Sequence, residues 1–93
     1  MVTEVHAAHI LVKTEAHCKD LLTQIKAGKK FSEVAMKNSE CPSGKKGGDL
    51  GWFTRGKMVR EFENPAFAGK KGDIVGPFKS QFGWHLMWIM DQK

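Results

Sequence analysis

The stretch FGWHLMWIM, residues 82 to 90, decides the fold. Its side chains alternate between two faces that are both mostly apolar, with His85, Met87 and Ile89 on one and Trp84, Leu86 and Trp88 on the other. A strand that is apolar on both faces is covered from both sides, so it lies in the middle of a sheet rather than at its edge. The stretch therefore predicts a central strand over residues 82–90.

The segment VHAAHILVK, residues 5 to 13, has the same character. His9 shares one face with Ala7 and Leu11, and the opposite face is formed by Ala8, Ile10 and Val12. It predicts a second central strand, with His9 near its middle as His85 is near the middle of the other.

Two further strands are predicted at residues 50–53 and 74–79. A turn at Ser80 and Gln81 joins the 74–79 strand to the final strand, and a connection this short permits only antiparallel pairing.

Two helices follow the first strand. Thr14 can cap the first, with Glu15 in the opening turn, where the helix dipole favours an acid. The apolar positions of this helix recur at helical spacing and are Cys18, Leu21, Leu22 and Ile25. Gly28 ends it, and Cys18 is predicted to be a small apolar core residue. A second helix is predicted from a cap at Ser32 to about Ser39, with Phe31 and Met36 forming a hydrophobic staple.

A third helix carries Met58 and Phe62, which lie four residues apart and so point the same way. Pro65 disfavours helical geometry at Asn64, so this helix is expected to stop or kink there. The order is strand, two helices, loop, strand, helix, strand, strand, with no repeat and no linker. It predicts an α+β domain with helices packed on a small sheet.

The composition is that of a single ordinary globular domain, with 93 residues, 41% hydrophobic and 27% charged. No basic region followed by a long apolar run opens the chain, and no apolar stretch reaches the length of a membrane span. Cys18 and Cys41 suit a reducing compartment in which both stay thiols. These features lead us to expect a cytoplasmic protein without membrane association.

The net charge of +5 is spread along the chain. Its lysines form only three adjacent pairs, and none is interleaved with aromatic residues. Solvated surface charge, with weak attraction to acidic surfaces, is the favoured interpretation. Nucleic-acid binding stays open as the alternative.

The loop CPSGKKGGDLGWF, residues 41 to 53, raises the question of a phosphate cradle. Its lysines precede the glycine pair and no serine or threonine follows a Gly-Lys step, so it lacks the phosphate-binding pattern. The G-x-G-x-x-G dinucleotide pattern is also missing. A loop that uses glycine for backbone freedom is the favoured interpretation, and the role of Cys41 stays open.

His9 and His85 stand in the middle of predicted central strands, and a lone buried histidine is usually a satisfied core residue. Two at such positions allow three hypotheses: a metal site, a nucleophilic pair with Cys41, or a mutually hydrogen-bonded pair. No C-x-x-C or H-x-x-x-H spacing supplies further metal ligands, and we expect no metal. A cysteine hydrolase would need Cys41, a histidine and an oxyanion hole. The sequence allows this arrangement without requiring it.

Four segments together resemble the parvulin family of peptidyl-prolyl cis/trans isomerases. They are HILVK at 9–13, CPSGKKGGDLGWF at 41–53, GKMVREFE at 56–63 and GPFKSQFGWH at 76–85. The resemblance runs over essentially the whole chain and implies a free-standing, monomeric, single-domain parvulin over residues 1–93. It implies four antiparallel strands surrounded by four helices in the order β-α-α-α-β-α-β-β, with one short helix near Cys41.

The resemblance also implies the site residues. It implies that His9, Cys41, His85 and Ser80 are the catalytic residues, and that Leu50, Met58, Phe62 and Phe82 form the pocket for the substrate proline ring. The partners it implies are proline-containing polypeptides, including unfolded chains, and no cofactor is needed. Members directed to phosphate carry a basic cluster after the first strand, where KTEAH stands here, so phosphate selectivity is not implied.

Cis/trans isomerisation requires only that the barrier to rotation about the X-Pro bond be lowered, because no covalent bond is broken. An apolar cup can hold the ring and strip water from the carbonyl while the amide twists. Cys41 would then be a polar neighbour of the carbonyl, whereas attack by its thiolate would require a thiol activated by its surroundings. A binding module that has lost turnover and a basic nucleic-acid-binding domain are the competing hypotheses.

Overall fold

In a computed structural model, which describes residues 2–58 and 60–93, the chain forms the predicted α+β fold. The elements are β1 (Glu4–Val12), α1 (Glu15–Lys26), α2 (Phe31–Asn38), a 3-10 helix (Pro42–Lys46), β2 (Asp49–Thr54), α3 (Arg60–Ala68), β3 (Ile74–Ser80) and β4 (Gly83–Gln92). The short helix expected near Cys41 is the 3-10 helix. None of the described helices is long and apolar enough to cross a bilayer.

The four strands form one antiparallel sheet in the order β2-β1-β4-β3. The two strands predicted to be central, β1 and β4, are therefore neighbours in the middle of the sheet. In their register His9 lies opposite Met87, and Leu11 lies opposite His85. Both histidines thus project from the same face, on adjacent strands.

Each face of the sheet carries its own buried cluster, as the alternation in β1 and β4 predicts. The sealed face packs against α1 and α2, and its cluster is Ala8, Ile10, Val12, Cys18, Leu21, Phe31, Val34, Ala35 and Leu86. The pocket face packs against α3, and its cluster is Val5, Ala7, Phe53, Phe62, Ala66, Phe67, Met87 and Ile89. The histidines lie on the pocket face.

The predicted ends of α1 are confirmed, but the predicted start of α2 is wrong. Thr14 Oγ1 accepts a hydrogen bond from the His17 N–H at 3.2 Å, and Gly28 follows the helix with φ of +116°. In contrast, α2 begins at Phe31 rather than after a Ser32 cap, and Met36, at 63% exposed, forms no staple. Phe31 is buried with its ring centroid 5.7 Å from that of Trp88, so tertiary packing sets the start of this helix.

One prediction about the third helix is also wrong, and of the two outcomes expected at Pro65, a stop or a kink, the stop does not occur. Met58 precedes α3, which begins at Arg60, so Met58 and Phe62 do not share a helix. The helix also continues through Pro65 to Ala68 instead of stopping. The carbonyl of Pro65 still accepts from Gly69 N–H at 3.0 Å, and the next two residues are buried against the sheet. Their burial outweighs the local preference of the residue before proline.

The two ends of the described chain lie side by side. Thr3 N–H donates to the Lys93 carbonyl at 2.6 Å, and Lys93 N–H donates to the Glu4 carbonyl at 2.9 Å. The start of β1 and the residue that follows β4 are therefore joined by backbone hydrogen bonds.

Candidate active site

A cavity of about 370 Å³ opens on the pocket face of the sheet. Its lining residues are His9, Leu11, Glu40, Cys41, Leu50, Met58, Phe62, Phe82 and His85. These include seven of the eight site residues predicted from the sequence, and the eighth, Ser80, is hydrogen-bonded to His85. The predicted residues are thus brought together from five separate segments of the chain, whereas their individual roles stay predictions.

The aromatic wall of the cavity is centred on Phe62. Its ring makes edge contacts with His9, at 5.0 Å between centroids, and with His85, at 4.5 Å. Phe78 also stacks on His85 at 5.3 Å and meets Phe62 edge-on at 5.6 Å. Such a cluster gives a rigid apolar surface against which a small saturated ring can pack.

The two histidines are held in their neutral forms. Their rings stack at 5.6 Å between centroids, and each is almost completely buried. Burial lowers the pKa of His85 to about 4, and burial together with the neighbouring His85 lowers the pKa of His9 to about 4. Near neutral pH the pair therefore presents uncharged imidazoles to the cavity.

Ser80 links His85 to the mouth of the cavity. Its Oγ lies 2.5 Å from Nε2 of His85 and accepts the Phe82 N–H at 3.1 Å. A hydroxyl can accept one hydrogen bond while donating another, so Ser80 can donate to an unprotonated Nε2 of neutral His85. His85 is thus directed to Ser80, and its ring stacks on that of His9.

The turn between β3 and β4 lies one residue later than predicted. Gln81 and Phe82 form the turn, because Ser80 still belongs to β3. Phe82 is consequently not part of the strand but lies 62% exposed at the edge of the cavity.

Cys41 reaches the cavity because the chain before it is tied to β1. Glu40 N–H donates to the Leu11 carbonyl at 2.8 Å. Ser39 Oγ accepts from the backbone N–H of Leu11 at 3.1 Å and from that of Cys41 at 3.4 Å. These bonds hold the half-buried Cys41 beside the histidine pair, on the opposite side of the sheet from Cys18, and the two cysteines form no disulfide.

The glycines after Cys41 allow the loop to approach β1. His9 N–H donates to the Gly48 carbonyl at 2.9 Å, and Gly48 has φ of +83°. A Cβ atom at this position would overlap the carbonyl oxygen of His9, so the close approach requires glycine. Asp49 Oδ1 then accepts from Gly51 N–H and contacts His6 Nε2, both at 2.8 Å. The G-D-L-G segment is therefore packed closely against β1 and supports the cavity.

Two lining residues, Leu11 and Glu40, were missed by the sequence prediction. Leu11 shares the face of His9, so the strand alternation contained the signal for it. Glu40 carried no signal beyond its position next to Cys41. Its carboxylate lies 3.8 Å from Lys13 Nζ, and both side chains are substantially exposed. Among residues 2–58 and 60–93, no three histidine, cysteine or acidic side chains are grouped as a metal ion would require.

Residues 7–91 match the family model described as the rotamase, PPIC-type PPIASE domain. The chain is 50% identical over 91 residues to foldase protein PrsA 1 of Bacillus cereus, covering 97% of this chain and 32% of that protein. It is 42% identical over 101 residues to chaperone SurA of Thiobacillus denitrificans, covering 99% of this chain and 23% of the relative. The chain spans about a third or less of the length of these two relatives.

Solved structures agree with the sequence matches. The crystal structure of the peptidylprolyl isomerase PrsA from Bacillus anthracis has a TM-score of 0.95 at 38% identity, covering 99% of this chain and 43% of that chain. The solution structure of NmPin, the parvulin of Nitrosopumilus maritimus, has a TM-score of 0.88 at 35% identity and covers nearly all of both chains. The chain belongs to the PPIC-type peptidyl-prolyl isomerase family, the parvulins.

Proposed function

We propose that this chain accelerates cis/trans rotation about X-Pro bonds in polypeptides, including unfolded chains, and so assists their folding. The observation that carries the proposal is the cavity itself, in which an apolar cup of Leu50, Met58 and Phe62 adjoins the uncharged His9–His85 pair. The cup suits a proline ring, and Cys41 and the two histidines lie where the carbonyl before that ring would turn.

The arrangement suits a reaction that breaks no bond. Rotation is slow because the amide must lose its resonance, which costs ~18–20 kcal/mol. Bringing tens of seconds down to about ten milliseconds needs roughly 4–5 kcal/mol of preferential binding of the twisted amide. Removing water from the carbonyl favours the twisted form, because the planar form has the larger charge separation that water stabilises. Desolvation and one or two polar contacts are sufficient for an effect of this size.

The polar residues take non-covalent roles in this mechanism. Cys41 offers a weakly polar S–H beside the carbonyl, and the neutral imidazoles hold the cavity in shape without introducing a charge. Ser80 fixes the ring of His85 through its 2.5 Å hydrogen bond. Neither a nucleophile nor a cofactor is required.

The test is cis/trans exchange of an Ala-Xaa-Pro peptide measured by NMR, without added metal or nucleotide. We expect acceleration by the wild type and a loss of about 10- to 100-fold in kcat/KM for Met58→Ala, because the cup loses one wall. Met58 is chosen over Phe62 because Phe62 is buried against both histidines, so its truncation would also destabilise the fold.

The matched control is Met36→Ala, because this methionine is 63% exposed and does not line the cavity. It should exchange peptides at the wild-type rate. Unchanged peptide exchange at high concentrations of wild-type protein would reject the isomerase and leave a binding module.

We further propose that the activity is not directed to phosphate. Glu40 lines the cavity and would repel a phosphate group, and the nearest cation after β1, Lys13, is engaged with it at 3.8 Å. Paired Ser-Pro and phosphoserine-Pro peptides should therefore be turned over with similar efficiency at physiological and high salt. A preference for the phosphorylated peptide above about tenfold, or 1.4 kcal/mol, that survives high salt would contradict this.

A monomeric, cytoplasmic protein stays part of the proposal. Cys18 and Cys41 lie on opposite sides of the sheet, an arrangement that suits two thiols in a reducing compartment. The large apolar side chains found exposed are Met36 on α2, Trp52 on β2 and Phe82 in the turn before β4, and the last two stand at the proposed peptide-binding cavities. Light scattering in solution tests whether the protein is a monomer, and fractionation of cells tests whether it is cytoplasmic.

A further inference from the structure

A second cavity, of about 350 Å³, lies next to the cavity proposed to bind the proline ring, which we call the proline cavity. Its lining residues are Glu4, Leu50, Trp52, Phe53, Thr54, Lys57 and Met58. Leu50 and Met58 line both cavities, whereas Glu40 and Cys41 line only the first. The two cavities are therefore adjacent compartments separated by the Leu50 and Met58 side chains, and the second lies beyond this wall as seen from Cys41.

The second cavity follows β2, which is an edge strand of the sheet. One side of an edge strand has backbone N–H and C=O groups that no neighbouring strand occupies, and an extended peptide can align with them. A polypeptide that runs out of the proline cavity over Leu50 and Met58 arrives at this edge.

We propose that the second cavity binds a large apolar side chain of the same polypeptide, two residues after the proline. The inference rests on the proposed isomerase function. In an extended chain, alternate side chains point the same way and are roughly 6–7 Å apart, which matches neighbouring compartments that share a wall. The X-Pro carbonyl faces Cys41 in the proposed mechanism, so the residues after proline are the ones that leave across Leu50 and Met58.

The lining of the second cavity favours an apolar occupant. Trp52 is 39% exposed, and its ring is held by His6 at 5.4 Å between centroids and by Lys93 Nζ at 4.6 Å from the ring centre. Glu4 at the rim is balanced by Lys93, whose Nζ lies 3.6 Å from its carboxylate. The fixed aromatic surface offers more to a phenylalanine or leucine side chain than to a positively charged one, which Lys57 in the lining would repel.

The experiment compares kcat/KM for peptides of the form Ala-Ala-Pro-Ala-Xaa-Ala, with Xaa phenylalanine or alanine. A third peptide carries the phenylalanine two residues before the proline. We expect phenylalanine after the proline to raise kcat/KM by about five- to tenfold through a lower KM, and phenylalanine before it to have a smaller effect. Trp52→Ala should bring the ratio between the first two peptides to about one, Trp52→Phe should keep part of it, and Met36→Ala should leave it unchanged.

Equal values for the first two peptides in the wild type would overturn the inference, as would a ratio that survives Trp52→Ala in a folded protein. An equal gain from phenylalanine before the proline would overturn the direction assigned to the chain. If no peptide is accelerated at all, the isomerase proposal fails instead. The ratio of Kd values for the same peptides, followed through the Trp52 indole signal by NMR, then decides whether the second cavity binds phenylalanine, and equal Kd values would reject it.

Discussion

The sealed face and the pocket face of the sheet are built from the same two central strands but are covered differently. On the sealed face, two helices cover mainly aliphatic side chains such as Ile10, Val12 and Leu86, which are completely buried. On the pocket face, one helix brings the Phe62 ring against two histidines, and an open cavity remains. The completely buried aliphatic side chains contribute mainly to stability, whereas the incomplete packing around Phe62 leaves room for a ligand beside the histidines.

The two cysteines show what this difference does to one residue type. Cys18 is completely buried on the sealed face, where burial, with a smaller contribution from Glu15, raises the pKa of its thiol to about 11. It acts as a small apolar side chain. Cys41 is half-buried and lines the cavity. The face of the sheet, rather than the residue type, determines whether a thiol can meet a substrate.

Lowering the pH should reduce the free energy of unfolding through the two histidines of the pocket face, and this is the largest effect we expect. His9 and His85 have pKa values near 4 when folded and an ordinary value of 6.5, so between these limits the unfolded chain binds more protons. The stability from their neutral burial is complete above pH 6.5 and is lost as pH falls toward 4, by about 3 kcal/mol for each histidine. Denaturant unfolding at intervals from pH 7.5 to 4.5 measures this.

His9→Gln should make the loss of stability between pH 6.5 and 4.5 about half as steep, because one of the two titrating groups is gone. Turnover by the folded protein should stay level between pH 6 and 8, where neither histidine changes charge. A free energy of unfolding that does not change down to pH 4.5 would show that the histidines are not held neutral.

Truncation on the sealed face should reduce stability and leave the reaction intact. Leu86→Ala removes a completely buried side chain between the sheet and its covering helices, which costs about 2–5 kcal/mol. Unfolding in urea measures the loss, and kcat/KM corrected for the folded fraction should stay within about threefold of wild type. A normal urea midpoint, or a tenfold loss of activity in the folded fraction, would contradict the separation of the two faces.

Cys41→Asp should have the smallest effect and sharpens the role of the thiol. A carboxyl group can occupy the same half-buried place beside the carbonyl, so we expect kcat/KM within about tenfold of wild type. Peptide exchange by NMR measures it, with Cys41→Ala as the control for loss of any polar group. Complete loss of turnover in a folded Cys41→Asp protein would indicate covalent attack by the thiolate.

Strand alternation predicted most of the fold and the placement of the histidines. The apolar pattern of β1 and β4 identified both as central and assigned Leu86 and Met87 to opposite faces, because alternation is a local property of the chain. The site residues came from the family resemblance, since no spacing in the sequence connects His9 to residues 80–85.

The errors came from packing between distant segments. Burial of Phe31 moved the start of α2 away from Ser32, and burial of Ala66 and Phe67 carried α3 through Pro65. Neither contact is visible in the local sequence. Glu40 was missed for the same reason, because backbone bonds to Leu11 bring it to the cavity.

The backbone hydrogen bonds that join Thr3 and Glu4 to Lys93 make the domain easy to transplant. Paired antiparallel residues have Cα atoms about 4.5–5.5 Å apart, so a host protein could accept the whole unit in place of one surface turn without moving its own framework. The inserted unit would keep its cavity, because the lining residues of that cavity all belong to this chain and none to the host protein.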